Sequence, residues 1–180
     1  MDIRTQRSQS FLWQAFFDLM IDGNPFSRIT VNQICDKAMV HRSTFYKHFE
    51  DKYALLDFGL SELFADYHAI PEIKKVVAPF YWADTFFENS TAQQLLETQK
   101  KDEVFFDLLK NYSISMMKQD VLKAYEQIDS KDIPLELLAE FHVSTIFTLS
   151  HWQAKSSQTI SVQEMDRYFK QLIFMNSDKS

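Results

Sequence analysis

A short run of hydrogen-bonding side chains lies between positions 42 and 48. Residues 42–48 read RSTFYKH, which supplies two aliphatic hydroxyls, a phenol, an imidazole and two cations, with no acid before Glu50. An ordinary exposed helix would carry pairs of Glu and Lys. Hydroxyls and cations together suit hydrogen bonds to phosphate oxygens and base edges. A solvated helix surface is the alternative, and the side-chain chemistry alone leaves both open.

Residues 30–49 predict the two short helices that would position these groups. Thr30 and Gln33 have the spacing of a capping box, so the first helix should begin at about Val31. A turn at positions 39–40 should separate it from the second helix. In that second helix Phe45 and Phe49 lie four residues apart and should both face the core.

The composition indicates an all-helical fold. The 180 residues are 46% hydrophobic and include only 2 Gly and 4 Pro, fewer turn residues than a sheet protein of this length requires. Cys35 is the only cysteine, so neither a disulfide within the chain nor a paired-cysteine zinc site is expected. There is no signal-peptide pattern and no apolar run of the roughly 20 residues that span a bilayer, so we predict a cytoplasmic protein without membrane contact.

The net charge of −6 is unevenly distributed. Residues 1–52 contain seven Lys and Arg against six Asp and Glu, whereas the rest of the chain contains twelve against nineteen. Because the local charge decides phosphate contact, the overall acidity does not exclude nucleic acid. It does predict weak binding to non-specific DNA.

Residues 11–56 resemble the DNA-binding domain of TetR-family transcriptional regulators. The resemblance is carried by Ile29-Thr30-Val31, Ile34, Ala38, Val40, the run Arg42-Ser43-Thr44-Phe45-Tyr46-Lys47-His48-Phe49, Asp51-Lys52 and Leu55-Leu56.

The resemblance implies a helix-turn-helix whose third helix enters the DNA major groove. The residues that match DNA-contacting positions of the family are Thr30, Arg42, Ser43, Thr44, Tyr46, Lys47, His48 and Lys52. Among these, Arg42, Ser43 and Thr44 match positions that meet bases or nearby phosphates. Tyr46 and Lys47 match positions that grip the backbone.

Two residues depart from the family pattern. Met39 stands where the family usually has Gly, and a left-handed backbone there would cost on the order of 1 kcal/mol. His41 stands where Ser or a similar helix cap is common. Because of these two departures, the sequence does not determine which side chains of the second helix would contact which bases.

The remaining chain predicts further helices, including one over about 101–110 and another over about 114–128. Its many aromatic and Met side chains could line an apolar ligand pocket, although ordinary core packing is the simpler explanation. The candidate pocket residues are Trp82, Phe86, Phe105, Tyr112, Met116, Phe147 and His151. The last two helices, from about Pro134 to Phe174, resemble the family's dimerisation element.

We therefore predict an all-α protein with a three-helix DNA-binding domain at 1–62 and a helical effector-binding and dimerisation domain at 63–180. The expected function is a homodimeric repressor that reads a palindromic operator on double-stranded DNA and responds to a small apolar effector. The alternative is a TetR-like co-regulator that acts through a protein partner. We expect no enzyme activity, cofactor, metal or catalytic residue, because no nucleophile–base set, phosphate loop or metal motif is recognisable.

Overall fold

In the computed structural model, the residues described are 3–88, 90–126 and 133–174. They form eleven α-helices and one short 3₁₀ turn, Phe26–Arg28, and contain no strand. The helices are α1 Ile3–Ile21, α2 Val31–Ala38, α3 Arg42–His48, α4 Lys52–Leu63, α5 Ala65–His68, α6 Glu72–Val77, α7 Pro79–Phe87, α8 Thr91–Gln99, α9 Glu103–Tyr125, α10 Leu135–Lys155 and α11 Val162–Phe174. The predicted all-α class is confirmed.

Helix α9 differs from the prediction. The two helices expected over about 101–110 and 114–128 are one helix of 23 residues, Glu103–Tyr125. The intervening Asn, Tyr and Ser have only moderately lower helix propensity than Ala and are not helix breakers, so the backbone continues. The predicted end at Ile128 lies outside the described residues.

The chain packs as two compact units. Unit 1 comprises Met1–Asp66 and Asn89–Lys110, and unit 2 comprises Tyr67–Glu88 and Asn111–Ser180. Helix α9 therefore contributes its first residues to unit 1 and the rest to unit 2. The predicted domain limits, 1–62 and 63–180, stay a prediction, because packing within one chain does not show which segment folds independently.

Aromatic side chains form the core of unit 1. Phe16, Phe26 and Phe105 are fully buried. The ring centroid of Phe26 lies 5.7 Å from that of Phe16 and 6.2 Å from that of Phe105. In α4, a Cβ added at Gly59 would overlap the indole of Trp13, so glycine allows α1 and α4 to pack closely. The close contact with α4 fixes the position of α1, and helices α2 and α3 pack against α1 in turn.

Helices α10 and α11 supply much of the core of unit 2. His142 and Phe169 have no exposed surface, and their ring centroids lie 5.7 Å apart. The carboxylate of Asp166 accepts the backbone N–H groups of Phe80 and Tyr81 at 2.9 and 3.0 Å, which caps the first turn of α7. Burial raises the pKa of Asp166, although these two hydrogen bonds act in the opposite direction.

Candidate nucleic-acid interface

The capping box that opens α2 is present as predicted. The Gln33 N–H donates to Thr30 Oγ1 at 3.3 Å, and the Thr30 N–H donates to Gln33 Oε1 at 2.8 Å. These two reciprocal bonds satisfy backbone donors at the helix start and fix where α2 begins. The hydroxyl of Thr30 is thus a structural group here, and its predicted phosphate contact stays a prediction.

Met39 closes α2 in the left-handed conformation, with φ 53° and ψ 42°. Its N–H donates to Asp36 O at 3.2 Å, and the Val40 N–H donates to Cys35 O at 3.0 Å. This is the hydrogen-bond pattern of a Schellman motif, which ordinarily has Gly at the left-handed position. The turn that the family builds with Gly is therefore built here with Met. The Met39 side chain is 91% exposed.

Helix α3 begins without a side-chain cap. His41, the residue before it, has an extended backbone with φ −74° and ψ 149°, and its side chain makes no capping hydrogen bond. Phe45 and Phe49 are buried as predicted, and their ring centroids lie 5.9 Å apart. Burial of these two aromatic side chains, rather than a capping hydrogen bond at the first turn, therefore fixes the position of α3.

The other faces of α3 carry the predicted DNA-contacting side chains. Arg42, Ser43, Tyr46 and Lys47 are exposed, whereas Thr44 and His48 are half-buried. Arg42 Nη2 donates to the Tyr46 hydroxyl at 3.2 Å, and the guanidinium carbon lies 5.6 Å from the Tyr46 ring centroid. Two of the predicted contact groups are thus already aligned along one edge of α3.

Lys52, at the start of α4, is directed into the protein. Its ammonium donates to the carbonyl oxygens of Phe26, Ser27 and Ile29 at 2.8, 2.9 and 2.8 Å. An ammonium has three protons, so these three bonds occupy its donors. Burial lowers the pKa of Lys52, and the nearby carboxylate of Asp102 acts in the opposite direction. The predicted phosphate contact of Lys52 would then rest on its backbone N–H at the helix N-terminus.

Two residues that the sequence reasoning missed hold the loop between α1 and α2. Gln99, which is 1% exposed, accepts the Phe26 N–H at 2.8 Å and donates to Met20 O and Asn24 O at 2.9 and 3.0 Å. Asp102 accepts the Ser27 N–H at 2.7 Å. The spacing in the sequence could have indicated that Gln99 is buried, because it lies on the same side of α8 as the buried residues Ala92 and Leu95.

An apolar cavity of about 190 Å³ lies within unit 2. Of the seven predicted pocket residues, Phe147 lines it. Phe105 belongs instead to the core of unit 1, and His151 is exposed. The Tyr112 hydroxyl lies 3.0 Å from His68 Nε2, and Trp82 packs edge-on against Tyr81. The ligand role of all seven, including Phe86 and Met116, stays a prediction.

Among the described residues, no group of three or more His, Cys, Asp and Glu side chains could hold a metal ion. Within the same residues, no helix is long and apolar enough to cross a membrane.

The fold and this surface define a class of protein. An all-α chain carries a short capped helix, a left-handed turn and a second helix with exposed cations and hydroxyls. That is the architecture of helix-turn-helix proteins, in which the second helix of the pair lies in the DNA major groove.

Comparisons with known proteins narrow this class to one family. Residues 20–57 match the family model "Bacterial regulatory proteins, tetR family". A TetR transcriptional regulator from Streptococcus agalactiae 2603V is similar in structure, with TM-score 0.55 and 25% sequence identity over 94% of this chain and 95% of that chain. A Clostridium perfringens protein that has been suggested to regulate fatty acid metabolism aligns with TM-score 0.45 and 16% identity over 91% of this chain and 97% of that chain. A comparison with curated proteins finds no match.

The family-model match over residues 20–57, together with the similarity in structure to a TetR transcriptional regulator, supports a TetR-family regulator. Proteins of this family are DNA-binding regulators rather than enzymes, which confirms the prediction that the chain is not an enzyme.

Proposed function

We propose that this chain is a homodimeric repressor that binds a palindromic operator through α3 and is released by a small apolar ligand. The observation that carries the proposal is the composition of α3: Arg42, Tyr46 and Lys47 are exposed, while Phe45 anchors the helix in the core. Side chains of these types bind phosphate oxygens and base edges when a helix lies in the major groove.

We assign the operator contacts to the eight predicted residues with different roles. Arg42, Ser43 and Thr44 would meet bases or nearby phosphates. Tyr46, Lys47 and Thr30 would bind the backbone, with His48 beside them. Lys52 would contribute its backbone N–H, since its ammonium is bonded to three carbonyl oxygens.

An exposed stripe on α10 supports the homodimer. Leu137, Phe141 and Trp152 are 59%, 52% and 47% exposed, and Ser144 and Thr148 lie between them along the same stripe. Apolar side chains at both ends and small side chains in the middle would let a second α10 approach closely. Leu172 on α11 is 51% exposed and, with Trp152, lines a shallow apolar depression.

The cavity in unit 2 supports the effector part of the proposal. Small-molecule sites are concave and mostly apolar, with a few polar groups that fix the ligand's orientation. The cavity combines Phe80, Ile146 and Phe169 with the polar side chains of Lys75 and Asp120. A ligand that prefers one of two conformations would change the affinity for DNA. We place this action in the cytoplasm, where a transcriptional regulator meets DNA.

A gel shift on the DNA upstream of the chain's own gene tests the proposal. We expect salt-dependent binding that Tyr46→Ala and Lys47→Ala weaken. Because Lys47 is a cation, Lys47→Ala should also reduce the magnitude of the slope of log affinity against log salt by about 0.9, whereas the uncharged Tyr46 should leave the slope unchanged. Tyr81→Ala and Lys100→Ala, which replace exposed residues of the same types elsewhere, are the matched controls. The proposal would be contradicted if no genomic fragment bound in a salt-dependent manner.

Two features favour the alternative, action through a protein partner: the low basic content and the unusual turn from Met39 to His41. The turn keeps the left-handed conformation in spite of Met39, so the second support is weakened. A pull-down that yields only copies of this chain would count against the alternative.

A further inference from the structure

The cavity in unit 2 has the size of one aromatic ring with a few additional atoms. Its volume is about 190 Å³, and an apolar protein cavity of about 150 Å³ holds one benzene molecule. The walls are mainly apolar and include Val76, Phe80, Val121, Ile146 and Phe169. Size and lining therefore restrict the ligand to a compact apolar body.

One ion pair forms the charged part of the wall. Lys75 Nζ lies 2.8 Å from Asp120 Oδ1, and the two side chains are 3% and 10% exposed. The ammonium also lies 5.1 Å from the Tyr67 ring centroid. Both charged residues line the cavity. Each charge is compensated by the other, so the pair adds no net charge to the wall.

The imidazole on the same wall adds no charge at neutral pH. Burial lowers the pKa of His142, although its hydrogen bond to the Leu138 carbonyl acts in the opposite direction. His142 Nδ1 lies 3.2 Å from Leu138 O, and Nε2 lies 3.4 Å from the Tyr125 hydroxyl. With Nδ1 protonated, the neutral ring satisfies both contacts.

This electrostatic balance selects against charged ligands. A carboxylate or ammonium brought into the cavity would add a third charge beside a pair that is already neutral, and an unpaired buried charge is costly. A neutral hydroxyl or primary amide avoids this cost, because it can accept a hydrogen bond from Lys75 and donate one to Asp120.

We infer that the cavity binds an uncharged, one-ring-sized apolar molecule that carries one hydroxyl or primary amide, with this group seated on the Lys75–Asp120 pair. The inference rests on the proposed function only for the ligand's role as the effector, since binding itself depends on unit 2 alone.

Isothermal titration calorimetry of the full chain with four matched probes tests the ligand class. The probes are benzyl alcohol, toluene, benzoate and benzylamine, which share one ring and differ in polarity and charge. We expect benzyl alcohol to bind about tenfold more tightly than toluene, because it gains hydrogen bonds to charged groups. The two ions should bind more weakly than toluene. Absence of binding by benzyl alcohol, or binding of either ion as tight as that of benzyl alcohol, would overturn the inference.

A double substitution, Lys75→Met with Asp120→Leu, tests the seat of the polar group. Replacing a buried ion pair by apolar residues of similar size is often neutral or stabilising, so the fold should persist. The preference should reverse, with toluene binding at least as tightly as benzyl alcohol. Ala83→Phe, which adds a ring at the cavity wall, should reduce binding of both probes. An unchanged preference for benzyl alcohol in the double variant would refute the assigned seat.

The two proposals fail separately. The calorimetry contains no DNA, so absence of probe binding in a protein that still shifts its operator contradicts the ligand inference alone. Probe binding that leaves the operator affinity unchanged supports the ligand inference and contradicts the effector part of the proposed function.

Discussion

At the scale of single residues, Met39 combines a left-handed backbone with a side chain that is almost fully exposed. Left-handed conformations cost a residue with a Cβ about 1–2 kcal/mol, and a glycine avoids this cost. We expect Met39→Gly to raise the free energy of unfolding by about 0.5–1 kcal/mol, since the greater freedom of Gly in the unfolded chain offsets part of the gain.

Urea denaturation measures this change, and Met39→Ala is its control. Alanine keeps the Cβ, so it should give no comparable gain. A glycine variant that is less stable than the parent would show that the left-handed turn carries no strain.

His142 should make the stability depend on pH. Burial lowers its pKa in the folded chain, so between that lowered value and the ordinary value of about 6.5 the unfolded chain binds a proton that the folded chain does not. The free energy of unfolding should therefore be unaffected by this group above about pH 6.5 and should fall as the pH drops below it. His142→Phe should reduce that fall, as followed by thermal melts at several pH values.

Ala154→Ser, at an exposed position of the same helix, should leave the pH dependence as it is. An equal fall in the parent and in His142→Phe would exclude His142 as its source.

At the scale of elements, α8 and the start of α9 stabilise the loop that leads into α2. Gln99 joins three backbone groups of residues 20–26, and Asp102 binds the next N–H. Gln99→Ala leaves the buried Phe26 N–H without this acceptor, so we expect a loss of about 2–4 kcal/mol in the free energy of unfolding. Chemical denaturation would measure it.

Gln94→Ala, at an exposed position of the same helix, should change stability by no more than about 0.5 kcal/mol. If the two variants were equally stable, the three hydrogen bonds of Gln99 would not hold the loop. Because the family-model match ends at residue 57, this support for the DNA-binding helices comes from outside the recognised motif.

At the scale of the whole molecule, residues 53–180 carry an excess of acidic side chains, so one copy of the chain should bind DNA weakly. Specific binding should therefore depend on the proposed pairing of two copies. Phe141→Glu places a charge in the exposed stripe of α10 and should convert the proposed dimer to a monomer, as sedimentation or light scattering would show. Operator affinity should fall by about 100-fold or more, because binding of the second half-site no longer profits from linkage to the first.

Ser115→Glu adds the same charge at an exposed position of α9 and is the matched control. It should leave both the dimer and its operator affinity intact. A Phe141→Glu variant that remained dimeric would remove α10 from the proposed interface.

The features that the sequence determined are set by interactions between near neighbours. The capping box joins Thr30 and Gln33, which are three residues apart, and the buried pair consists of Phe45 in α3 and Phe49, the residue that follows α3. Scarcity of Gly and Pro likewise acts through local backbone preferences, so the all-α class follows from composition. Residues 42–49, which carry the resemblance to the TetR family, are likewise a continuous stretch of sequence.

Tertiary structure decided the features that join distant positions. Lys52 bonds carbonyl groups up to 26 positions away, and Gln99 bonds one that is 79 positions away. No periodicity within one helix encodes such partners, and the same holds for the Lys75–Asp120 pair, 45 positions apart, on the cavity wall. An exposed lysine and a buried one look alike in a sequence. Only the packed chain shows that the ammonium of Lys52 supports the helix-turn-helix from within, because its three donors are bonded to carbonyl groups of the protein.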